Sequence, residues 1–106
     1  MNEKELFTTL VEKLHKDFSL AKNSLPEVND MHLIREHMVA KVAELMSKDY
    51  ERFITNLYRI DVSESKVSEI MHSKDRTTIH EKLADLIIER QLQRVKTQIL
   101  YHEGKL

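Results

Sequence analysis

Apolar residues recur every three or four positions through most of this chain, the spacing of helices that bury one face. Phe7, Val11, Leu14, Phe18, Ala21 and Leu25 alternate steps of four and three, which makes a heptad seam, and Leu6 and Leu10 widen it. The pattern predicts a first helix from about Glu3 to Asn23 that lies over the core, with Glu12 and Lys16 paired on its outer face. Ile34, Met38, Val42, Leu45, Met46, Phe53, Ile54 and Leu57 then keep a helical period and predict a long second helix ending near Tyr58. Ser47-Lys48-Asp49 is its weak point, but the stripe resumes in register beyond it and favours one continuous helix. Val67, Ile70 and Met71 share one face of a short third helix, roughly Val62 to His72, which must rest on the others.

The stretch from Thr78 to Tyr101 is the longest helical run, and the one around which the chain is organised. At about 100° per residue, Ile79, Leu83, Leu86 and Ile87 share one side, while Ile88, Leu92, Val95 and Ile99 lie nearly opposite. A helix apolar on two sides packs in two directions. The expectation is that its first half packs one way and its second half another, against an N-terminal helix of the same chain or against a second copy. Ile88, Leu92, Val95 and Ile99 are therefore the candidate self-association face. Charge is sorted along the same helix: Glu81, Asp85 and Glu89 come early, and Arg90, Arg94 and Lys96 late. This order suits the helix dipole and would also suit antiparallel pairing about a two-fold axis.

Capping residues punctuate these runs. Thr78 with Glu81, Ser24 with Glu27, and Asp61 with Glu64 all have capping-box spacing, and Asn29 or Asp30 offers a later start for the second helix. Pro26 fits a first helical turn. The short connection there predicts that helices one and two are antiparallel neighbours. The only glycine is Gly104, so turns that need positive φ are almost unavailable and sheets are disfavoured. The predicted fold is all-α: one helical domain over residues 1–106, a small bundle of three long helices and one short helix with up-down connections and a frayed tail at about 102–106.

Composition narrows the function classes. The chain is 33% charged yet has a formal net charge of -1, so it has no global basic excess to attract nucleic acid or acidic membrane. With no cysteine, disulfides, thiolate catalysis and cysteine–metal sites are excluded. No signal peptide and no membrane-length apolar run is read, and the default expectation is a cytoplasmic protein.

Six histidines invite a metal reading. Glu12 with His15, and Glu69 with His72, have the E-x-x-H spacing of di-iron bundles, but helix geometry turns both glutamates away from the apolar seams. His32 to His37 matches neither H-E-x-x-H nor H-x-x-E-H. A helix-turn-helix spanning helices three and four would need a shorter turn, and Glu81 and Asp85 would repel phosphate at its reading end. Tyr58 and Arg59 end a helix and offer a small surface patch. No cofactor, metal or catalytic group is expected. The reading is a non-catalytic intracellular bundle that acts through protein association, as a homodimer or with a protein partner. The alternative is nucleic-acid or other anion binding through Arg90, Arg94 and Lys96, with nucleic acid disfavoured.

Overall fold

The computed structural model describes residues 2–20 and 30–104, and every regular element among them is helical. The helices are α1 (Glu3–Phe18), α2 (Met31–Lys48), α3 (Tyr50–Arg59), α4 (Glu64–Met71) and α5 (Ile79–His102), with a 3-10 turn at Arg76–Thr78 leading into α5. The all-α bundle follows the apolar pattern, but the expected long second helix is divided. Asp49 leaves helical geometry (φ -153, ψ 83). Its amide still closes α2 onto the Leu45 carbonyl at 3.0 Å, while its carboxylate accepts the Arg52 amide at 3.1 Å. One residue thus ends α2 and caps α3, a role that suits the short acceptor side chain of aspartate. Phe53 and Leu57 remain buried beyond the break, so the stripe keeps its register.

Other helix starts also differ from the capping-box spacings. Asp30, not an earlier residue, caps α2 by accepting the His32 amide at 2.9 Å. The Ser24–Glu27 pair and Pro26 lie outside the described residues. Asp61 does not cap α4, because it sits in the left-handed region at φ 62. Ser63 does so instead, accepting the Lys66 amide at 3.3 Å. Thr78 makes no side-chain cap. Asp75 caps the preceding turn, accepting the Thr77 amide and hydroxyl, and these bonds hold its carboxyl below the usual aspartate range. Ser63→Ala is expected to cost about 0.5–2 kcal/mol in urea unfolding. An unchanged midpoint would mean that the packing of Val67 alone fixes the start of α4.

The bundle is built along α5. Its 24 residues span about 36 Å at 1.5 Å per residue, most of the 43 Å long dimension. α2 lies along its first half, where Arg35 grips Asp85 with Nε to Oδ1 at 2.6 Å and Nη2 to Oδ2 at 3.1 Å. α1 lies antiparallel along its second half, with Asp17 beside Gln91 and Arg94. The C-terminal ends of α1 and α2 consequently meet near the middle of α5, where Lys16 and Phe18 share a recess with Leu45 and Lys48. The connection between the first two helices lies outside the described residues. α3 starts at this junction and sets the ring of Phe53 edge-on against Phe18, centroids 6.2 Å apart. Leu10, Leu14, Ile34, Met38, Leu57, Leu83 and Ile87 complete the fully buried centre.

Candidate functional site: a basic groove between α1 and α5

The two apolar sides of α5 are both covered within one chain. Ile79, Leu83 and Ile87 are buried, and so are Ile88 (7% exposed), Val95 (0%) and Ile99 (5%), while Leu92 is half-buried. α1 supplies the cover for the second half. Of the residues expected to form a self-association face, Ile88, Val95 and Ile99 are thus core residues of the single chain, covered by its N-terminal helix, and Leu92 is half-buried beside them.

Gln91 falls at the helical spacing shared by Ile87 and Val95, and it is completely buried. Its Nε2 donates to Asp17 Oδ2 at 2.7 Å. Arg94 Nη1 donates to Gln91 Oε1 at 2.9 Å and to the same Asp17 oxygen at 3.3 Å. The three side chains form a closed ring that joins α5 to α1. A buried amide is tolerated because both of its ends are bonded.

Arg90 is also anchored. Its Nε donates to the Ile60 carbonyl at 2.8 Å, its Nη1 donates to Gln93 at 3.3 Å, and its Nη2 lies 3.8 Å from Asp61. It thereby fixes the end of α3 to α5. Among the described residues, Asp61 is engaged by this arginine and not by Arg59.

Above these anchors runs an open groove of about 470 Å³, lined by Lys13, Arg90, Gln93, Arg94, Gln98 and Tyr101, with Thr97. Among the described residues, three cations line it and no carboxylate does. Arg94 uses only Nη1 internally, which leaves its Nε and Nη2 unbonded among the described residues. The Lys13 amine is held below the usual lysine range, first by burial and then by the charge of Arg94. An anion in the groove would relieve that repulsion. Tyr101 is 70% exposed at one end. Of the residues expected to bind anions, Arg90 and Arg94 are here, and Lys96 is exposed but does not line the groove. Lys13 was not foreseen, since nothing in its own helix points to it.

Three of the six histidines make local polar contacts. His15 Nδ1 lies 2.8 Å from the Leu20 carbonyl, and His72 Nδ1 lies 2.8 Å from the Ser68 carbonyl. His32 and Glu36 pair at 3.0 Å on the open surface. Among the described residues, no group of three or more His, Cys, Asp or Glu side chains is placed to hold a metal ion. No helix of the described residues is long and apolar enough to cross a membrane. Ile60 closes the end of the core, whereas Tyr58 is 47% exposed beside it.

No family model matches the chain, and no curated protein or solved structure matches it either. The class is therefore drawn from geometry alone: a small all-α bundle carrying a basic groove.

Proposed function

We propose that this chain is a non-catalytic association module that docks an acidic protein segment in the α1–α5 groove. The observation that carries the reading is that Lys13, Arg90 and Arg94 line the groove without a carboxylate among the described lining residues. Gln93, Gln98 and Thr97 offer side-chain hydrogen bonds of the kind a peptide backbone takes. A protein segment fits better than a nucleic acid, because a chain of net charge -1 has little to hold a longer phosphate backbone outside the groove.

The test is a titration of isotope-labelled protein with a blocked oligoglutamate peptide and, separately, with oligothymidylate. Saturable shifts on both sides of the groove with the peptide, weakening as salt rises, are the expected result. Lys13→Glu combined with Gln98→Glu should abolish them. These positions are preferable to Arg90 and Arg94, whose reversal would break bonds to Ile60, Asp17 and Gln91. Stronger binding of the oligonucleotide, or no response to the peptide at low salt, would refute the reading. Light scattering after size exclusion gives the other occupant: a salt-sensitive dimer would make it a second copy, with its exposed Glu89 among the available acids.

A further inference from the structure

A second basic hollow lies where the C-terminal ends of α1 and α2 meet the side of α3. It encloses about 260 Å³. Lys16, Lys48, Arg52 and Arg59 line it against two carboxylates, Asp17 and Asp49. Both acids are already committed. Asp17 accepts from Gln91 and Arg94, and Asp49 accepts the Arg52 amide. Lys48 pairs outward with Glu44 at 3.0 Å. The side chains of Lys16, Arg52 and Arg59 make no hydrogen bond or ion pair among the described residues.

Part of this charge has a local explanation. Lys16, Lys48 and Arg59 lie in the last turns of their helices, where cations offset the negative dipole end. Arg52 has no such explanation. It lies in the first turn of α3, where the dipole disfavours a cation, and its guanidinium is unpaired among the described residues. Arg52, Asn56 and Arg59 are spaced i, i+4, i+7, so two guanidinium forks and an amide line one stripe of α3 beside the hollow. Lys16 approaches from α1.

We propose that this hollow binds a phosphate group, carried by a free phosphate compound or by a phosphorylated side chain. A phosphate brings a charge of about -1.5 to -2 and three acceptor oxygens. That matches two arginines and a lysine better than a single carboxylate would. The hollow is separated from the α1–α5 groove by the Asp17–Arg94 pair, and its binding does not rest on the role proposed for the groove.

The test is a titration of isotope-labelled protein with inorganic pyrophosphate, with a blocked Ala-phosphoserine-Ala peptide, and with sodium chloride at matched ionic strength. The expected result is saturable shifts at the amides of Lys16, Ser19, Arg52, Asn56 and Arg59 with at least one phosphate probe and none with chloride. Arg52→Glu with Arg59→Glu should weaken that binding by about tenfold or more. Both residues are exposed, and Arg52→Gln with Arg59→Gln repeats the test should the reversed variant misfold. Tighter binding of the peptide would assign the site to a phosphorylated chain, and tighter binding of pyrophosphate to a free phosphate compound. Shifts that do not saturate, that chloride reproduces, or that survive both double variants would overturn the site.

Discussion

Phe53→Ala is expected to destabilise the fold by about 3–5 kcal/mol, the largest loss we anticipate from one side chain. Phe53 is 1% exposed and is the first buried residue after the break at Asp49. It packs edge-on against Phe18 where α1, α2 and α3 come together. Its removal leaves a void that Phe18 cannot fill without leaving its own place. A chain of this size has roughly 5–15 kcal/mol in total, so the variant sits near the unfolding threshold at ordinary temperature. Urea unfolding at constant slope measures the loss. A value under about 1 kcal/mol would mean that the junction closes around the void. The Phe18→Ala partner completes a double-mutant cycle, with a ring–ring coupling of about 0.5–1.5 kcal/mol expected.

The second large effect is at Asp17. Asp17→Ala removes the acceptor for a fully buried Gln91 amide and the acid beside Arg94. A buried donor left without a partner costs about 1–3 kcal/mol, and that is the expected loss. Adding Gln91→Leu should recover most of it, because an apolar side chain of similar size has no donor to satisfy. If the double variant were as unstable as Asp17→Ala alone, the loss would come from Arg94 or from α1 itself. The two variants thus separate what the ring does for the bundle from what Arg94 does for the groove.

The parts of this structure that were legible in the sequence are those set by local spacing. Phe7, Val11, Leu14 and Phe18 of the first seam are buried, with Ala21 and Leu25 outside the described residues, and both apolar sides of α5 are buried except for the half-buried Leu86 and Leu92. The prediction that α5 packs one way in its first half and another in its second holds, with α2 on Asp85 and α1 on Gln91. Spacing names a buried face but not what buries it. Ile88, Val95 and Ile99 therefore read equally as an interface or as core, and the packing of α1 makes them core. Helix starts were misplaced for a related reason. Candidate caps come in clusters (Asp61 and Ser63, Asp75 and Thr78), and the backbone angle that decides between them depends on the turn as a whole. Ser47-Lys48-Asp49 reads as a weak point, yet the resumed stripe hides the break, because a single non-helical residue hardly disturbs the apolar register. The groove was half legible. Arg90 and Arg94 are visible as a run, whereas Lys13 joins them only through the antiparallel packing of α1, and Gln91 was readable as a polar residue at a core position.

The position of α5 also bears on how the chain assembles during synthesis. α1 and α2 are made first, and each depends on α5, the last of the described helices, to cover its apolar stripe. Until that helix leaves the ribosome, Phe7, Leu10, Leu14, Ile34, Met38 and Val42 lack their main partner. The core therefore cannot close before α5 is made: a nascent chain stalled before Ile79 holds most of the helices but not the strut that joins them, and would be the form most exposed to chaperones and proteases.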